Sequence, residues 1–187
     1  VMNLNWDRFM SETLARGQAE ADNFQAGRLR FNELFWYSLS YDPVIRQLNT
    51  GTFIEFENEI LQTDIPTPYV VSRDKRQKMQ IEINKMQKKG VIQEVERPNN
   101  GFISNIFTRT KSDGSLRIIL DLTELNDDVT YRHFKMDTLQ TATDLMFQNC
   151  YMASIDWKDA YYSVPIANQH QKYLTFLWGN KFFSFTC

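Results

Sequence analysis

The stretch from Asp74 to Leu122 constrains the fold more than any other, because the period of its apolar residues changes within it. Met79, Ile83 and Met86 recur at +4 and +3, so Asp74–Lys89 is predicted to be an amphipathic helix. Gly90 follows at the position where a glycine most easily ends a helix. Lys85, Lys88 and Lys89 crowd the end whose dipole favours cations. Beyond Gly90 the pattern turns strand-like, in Val91–Val95, Ile103–Phe107 and Leu116–Leu122. The turn-forming runs Pro98-Asn99-Asn100-Gly101 and Lys111-Ser112-Asp113-Gly114 separate these strands. They are expected to form a hairpin with a basic tip.

The flanking regions extend this pattern. Trp6–Ala21 reads as a polar, weakly amphipathic helix, and Phe31–Leu39 as an apolar cluster around Phe35 and Trp36. Asp42-Pro43 opens a short helix over Val44–Leu48, ended by Asn49 and Gly51, and Thr52–Phe56 reads as an edge strand. Ile65–Tyr69 contains two prolines, which push their preceding residues out of the α region, so it is an extended connector. Residues 1–70 therefore read as an N-terminal extension and connector, and 71–187 as the main folding unit. Asp137–Phe147 is predicted to be a second helix, with Asp137 as its N-cap and Leu139, Ala142, Leu145 and Met146 on one face. Met152–Ile155 reads as a short strand leading into Asp156, and Lys158–Tyr162 as a short helical segment. Gly179-Asn180, between Tyr173–Trp178 and Lys181–Phe185, is a two-residue hairpin signal. The order helix, hairpin, helix, strand, helix, hairpin defines an α+β domain.

Composition narrows the function classes. Hydrophobic residues make up 42% of the 187, which excludes a disordered chain. The two cysteines, Cys150 and Cys187, belong to no CxxC-type cluster, which argues against a disulfide scaffold or zinc site and fits a reducing intracellular compartment. No apolar run approaches the ~20 residues of a membrane span, and Val1–Arg8 lacks the layout of a signal peptide. The net charge of −2 conceals an uneven distribution. Residues 1–70 carry 5 basic and 10 acidic side chains, residues 71–120 carry 11 and 5, and residues 121–187 carry 5 and 8. The basic middle suits phosphates and the acidic last third suits a divalent metal, though a solvated helix face accounts for the basic excess equally well. A start at Val1 and a stop at Cys187, inside a strand-like run, imply a chain cut at both ends.

The informative segment is Ser154–Ile166, SIDWKDAYYSVPI. An aspartate at the end of a buried strand places a carboxylate on the rim of a sheet. Magnesium takes hard oxygen ligands, and a pair of such ions can activate a 3′-hydroxyl and stabilise leaving pyrophosphate. The carbonyl of Trp157 could add another oxygen. The residues alone leave a second reading open, since an aspartate after an apolar strand commonly serves a turn or a helix cap.

This run is similar to the first catalytic motif of reverse transcriptases: aspartate, two residues, aspartate, alanine, two aromatics, then a valine-proline turn. Lys89–Val95 (KGVIQEV), Gly101–Asn126 (GFISNIFTRTKSDGSLRIILDLTELN) and Tyr131–Met146 (YRHFKMDTLQTATDLM) resemble, in order, the fingers region of retroelement polymerases. The wording of His133–Met146, Met152–Ile166 and Lys172–Cys187 resembles DIRS-type tyrosine-recombinase retrotransposons, and Gly27–Phe56 resembles the stretch that precedes their polymerase. The resemblance runs from about Ala26 to Cys187. It implies the fingers and start of the palm of a right-hand polymerase that copies RNA, and also DNA, into DNA. Asp156 matches the family's first metal-binding aspartate, with magnesium held by Asp156 and the Trp157 carbonyl. Asp159 and Ala160 match residues lining the triphosphate and sugar pocket. Tyr161 matches the aromatic beneath the incoming sugar, where a bulky ring excludes a 2′-hydroxyl. Arg117 matches the arginine that holds the triphosphate, a rigid fork of donors that keeps its charge. Lys111 matches the lysine near the γ-phosphate, and Arg109 could share that role. The implied partners are an RNA or DNA template-primer and deoxynucleoside triphosphates, with no membrane, and an RNase H domain in the parent protein.

The chain departs from the family pattern at Leu116, at Thr123 and at Trp157, and it contains no Tyr-x-Asp-Asp motif, which in the family supplies the other catalytic carboxylates. The two-ion site is therefore expected to be incomplete within these residues. The alternative is a catalytically dead or recruited remnant that binds nucleic acid or a partner.

Overall fold

The computed structural model describes residues 24–112, 114–133, 135–153 and 156–187. The helix expected over Trp6–Ala21 lies outside them. Helices α1 (Glu33–Leu39) and α2 (Pro43–Thr50) follow a 3-10 turn at Arg28–Asn32. Asp42 caps α2 by accepting from the Val44 N–H at 2.8 Å, and Pro43 presets the φ of the first turn. The principal helix, α3 (Arg73–Lys88), starts where the Ser72 hydroxyl accepts from the Lys75 N–H. It ends in a glycine-terminated motif: the Gly90 N–H donates to the Gln87 carbonyl at 3.0 Å and the Val91 N–H to the Met86 carbonyl at 2.9 Å. Gly90 adopts φ +73°, which a side chain would resist.

That reversal delivers the chain into β1 (Ile92–Val95), followed by β2 (Ile103–Ser104), β3 (Ile106–Thr110) and β4 (Leu116–Leu120). Later come α4 (Thr123–Asn126), α5 (Leu139–Asp144), β5 (Thr175–Trp178) and β6 (Lys181–Phe185). One sheet has the order β1-β6-β5-β2, with β2 parallel to β5 and the other pairs antiparallel; β3 and β4 form a separate antiparallel pair. The strand expected over Ile103–Phe107 is thus two strands. Asn105 divides them, because its carbonyl accepts from the Asp121 N–H and its side chain donates to the Thr67 carbonyl. Nor does β1 join the basic-tipped hairpin; it pairs with β6, which the sequence places far away.

The core forms where α3 lies against both sheets. Met79, Ile83 and Met86 meet Val91, Ile92, Ile106, Ile118, Phe176, Phe183 and Phe185. Burying one such side chain fully contributes about 1.5–3 kcal/mol, so this cluster dominates the stability. A smaller cluster joins Ile60, Phe102 and Leu125.

Residues 24–70 are stitched to this body. Thr52–Phe56 is not a continuous strand but two isolated bridges, Thr52 with Ile166 and Phe56 with Val129. At Gly51 a Cβ would sit 2.9 Å from the Ala167 Cα, so only glycine permits that approach. The second predicted helix is shorter than expected, at Leu139–Asp144, and Thr138 rather than Asp137 caps it. None of its residues is buried, so no packing supports the extra turns.

Candidate functional site

Asp156–Ile166 is an irregular loop with one 3-10 turn, Tyr161–Ser163, in place of the helical segment expected over Lys158–Tyr162. Met152 and Ala153 form no strand, and Ser154 and Ile155 lie outside the described residues. Asp159 adopts a left-handed φ of +56°. Its carboxylate accepts from the Lys89 ammonium at 2.6 Å, so the residue that closes α3 also anchors this loop. The Tyr162 N–H donates to the Asp159 carbonyl at 3.0 Å, and the Tyr162 carbonyl accepts from the Gly27 N–H at 2.7 Å. Farther on, the Thr52 N–H donates to the Pro165 carbonyl and the Ile166 N–H to the Thr186 carbonyl. The N-terminal segment, the end of α3 and the end of β6 thus hold the loop jointly.

The two tyrosines take opposite environments. Tyr162 packs against the main core, whereas Tyr161 is 91% exposed. Ala160 is half-buried between them and Asp159, and Asp156 and Trp157 are exposed.

The β3–β4 pair carries the basic residues. Arg109 stands directly opposite Arg117, and Lys111 begins the turn at the tip, where its N–H donates to the Ser115 carbonyl. Like charges facing each other across a ladder are unfavourable. Among the described residues no carboxylate lies within ion-pair distance of Arg109, Lys111 or Arg117. An anionic occupant would relieve that repulsion.

Burial, above all, pushes the Tyr162 phenol above the ordinary range; Cys187 and Asp159 add to the rise, and the Arg117 charge opposes it. Among the described residues Lys111 makes no hydrogen bond to the loop.

Among the described residues the loop offers few free oxygen donors. Asp159 is engaged by Lys89, and no group of three His, Cys, Asp or Glu side chains converges among the described residues. Asp156 has no cationic partner there. One free carboxylate with a neighbouring carbonyl is compatible with magnesium, which commonly keeps several waters and takes one or two carboxylates plus phosphate oxygens.

Sequence reasoning missed the anchoring role of Lys89, which reads as a helix-dipole cation, and the bond from Gly27. Neither has a local signature, since each joins residues far apart in the chain.

The sequence matches no protein-family model and no curated protein. Solved structures do resemble it. The foamy viral protease-reverse transcriptase in complex with dsDNA aligns with a TM-score of 0.60 at 19% identity, covering 71% of this chain and 27% of that one. A selenomethionine-labelled CSH mutant of the prototype foamy virus protease-reverse transcriptase gives 0.56 at 17% identity, covering 87% and 24%. The foamy viral enzyme in complex with RNA/DNA hybrid gives 0.53 at 19% identity, covering 75% and 17%. The chain therefore has a mixed helix-and-strand, reverse-transcriptase-like fold of the right-hand polymerase type, and it spans about a quarter or less of those proteins.

Proposed function

We propose that this chain is the fingers and the start of the palm of a retroelement RNA-directed DNA polymerase of the DIRS type, acting inside the cell in cytoplasm or nucleus. The observation that carries this reading is the reverse-transcriptase-like fold, on which the β3–β4 pair sets Arg109 opposite Arg117. Among the described residues those arginines and Lys111 have no carboxylate within ion-pair distance, and the chain also carries the aspartate-alanine-tyrosine sequence at Asp159–Tyr161.

In this reading the template-primer and a deoxynucleoside triphosphate are the partners. Arg117 grips the triphosphate with a planar fork of donors, Lys111 adds a point charge near its end, and Arg109 supports both. Asp159 and Ala160 floor the pocket, with Lys89 fixing Asp159. Tyr161, exposed beside that floor, blocks a 2′-hydroxyl. Asp156 and the Trp157 carbonyl would help hold magnesium, which when bound neutralises charge developing on the transferred phosphate. The remaining carboxylates of a two-ion site, and an RNase H domain, belong to other parts of the parent protein.

Binding of a labelled RNA/DNA hybrid to this chain tests the reading. The wild-type chain should bind it with strong salt dependence, and Arg109→Ala, Lys111→Ala and Arg117→Ala should each weaken binding and flatten the salt slope. Primer extension by the chain alone should stay at background. Incorporation that disappears in Asp156→Ala would contradict the incomplete site, and wild-type hybrid binding by all three variants would contradict the hairpin's role.

A further inference from the structure

Beside the loop lies a groove of about 710 Å3, and no residue of the β3–β4 hairpin is among those that line it. Its lining includes Arg28, Phe31, Phe35 and Trp36 of the N-terminal segment, with Trp157 and Ser163 of the loop. Three of these rings are largely open to solvent: Phe31 and Trp157 at 63% and Phe35 at 60%. Phe35 meets Trp36 edge to face, with centroids 6.3 Å apart, which fixes their relative orientation. The Arg28 guanidinium sits 5.3 Å from the centre of the Phe24 ring and has no carboxylate within ion-pair distance among the described residues. Among the described residues no acidic side chain lines the groove.

Exposed rings joined to an arginine form the combination that stacks unpaired bases while neutralising their phosphates. A purely apolar partner would gain nothing from Arg28, and a basic partner would be repelled by it. The volume lies within the range of pockets that hold ligands of nucleotide size. Trp157 directly follows Asp156, so a strand seated here reaches the loop.

We infer that this groove is a binding site for single-stranded nucleic acid, with bases stacked on Phe31, Phe35 and Trp157 and a phosphate on Arg28. The inference rests on the nucleic-acid reading above, but it predicts a different substrate form and different residues.

The test is fluorescence anisotropy of the 187-residue chain with two single strands, dT12 and rU12, and with a blunt RNA/DNA hybrid. Phe35→Ala and Arg28→Ala should each weaken single-strand binding about tenfold, the loss expected for one stacked base or one phosphate contact. Hybrid binding should change less than about twofold, because the hairpin carries it. Phe35→Tyr, which keeps the ring, should bind single strands as the wild type does, and circular dichroism should show each variant folded. Wild-type affinity for both dT12 and rU12 in Phe35→Ala and Arg28→Ala overturns the groove while leaving the hairpin reading intact. Equal losses for hybrid and single strands also overturn it, by showing one shared site. A wild-type chain that binds the hybrid but neither single strand overturns the groove alone, and one that binds no nucleic acid at all overturns both.

Discussion

The body around α3 and the segment from Tyr131 to Tyr161 are both rich in apolar residues, yet they differ completely in what those residues touch. In the body, Met79, Ile83, Phe176 and Phe183 are almost fully buried. In the segment, Tyr131, Met136, Leu139, Leu145, Phe147, Tyr151, Met152, Trp157 and Tyr161 all stand exposed. An amphipathic pattern records which side of an element can be covered; a facing surface must still exist for burial to occur. Where α3 finds two sheets, its helix runs 16 residues; where α5 finds none, it runs six.

The sharpest test of that contrast is a pair of truncations. Ile83→Ala, in the packed body, should lose about 2–5 kcal/mol. Leu139→Ala, in the open segment, should change stability by less than about 0.5 kcal/mol. Urea midpoints of the two variants settle it, and equal losses would mean that the segment is packed after all. A middle-sized effect belongs to the junction between the regions. Gly90→Ala has room for its methyl, with only the Ala26 Cβ at 3.9 Å, so its cost comes from φ alone, about 1–2 kcal/mol. A smaller effect, under about 1 kcal/mol, is expected for Lys89→Met, because the ion pair to Asp159 is partly solvated. Lys89→Met should nonetheless speed hydrogen exchange at the Tyr162 and Ser163 amides, and unchanged exchange there would remove the anchoring role.

Acidity probes the strap over residues 52–56. The Nδ1 of His170 accepts from the Ile54 N–H at 3.2 Å, and its ring lies among Phe53, Phe56 and Tyr173. Burial, with a smaller push from Lys172, lowers its pKa. The unfolded chain therefore binds a proton more readily than the folded one. The stability that neutral His170 supports is complete above the ordinary imidazole pKa and is lost as pH falls through the lowered folded value. His170→Phe should flatten that acid limb of the stability profile.

What could be read from the residues followed their range. Helix α3, its terminating Gly90 and the β5–β6 hairpin at Gly179-Asn180 are local devices, and the pattern displays them directly. The pairing of β1 with β6, the division at Asn105 and the bridges made by Thr52 and Phe56 depend on partners far along the chain. Asp137 lost the cap to Thr138 because a threonine pair, Thr138 and Thr141, could bond each other's backbone. In the candidate site, the motif drew attention to Asp156, Asp159 and Tyr161, but only three dimensions join Asp159 to Lys89 and the Tyr162 carbonyl to Gly27.

In the proposed reading the exposed Tyr161 selects the sugar while the core-packed Tyr162 does not. The most direct measurement uses a longer polymerase that carries this segment together with a Tyr-x-Asp-Asp hairpin. It compares kcat/KM for matched ribo- and deoxynucleotides in the wild type, Tyr161→Ala and Tyr162→Ala. Removing a steric block is expected to shift discrimination by a few kcal/mol, on the order of a hundredfold, in Tyr161→Ala alone. Tyr162→Ala should lower stability and leave the ratio in place. An unchanged ratio in a folded, active Tyr161→Ala enzyme would contradict the account.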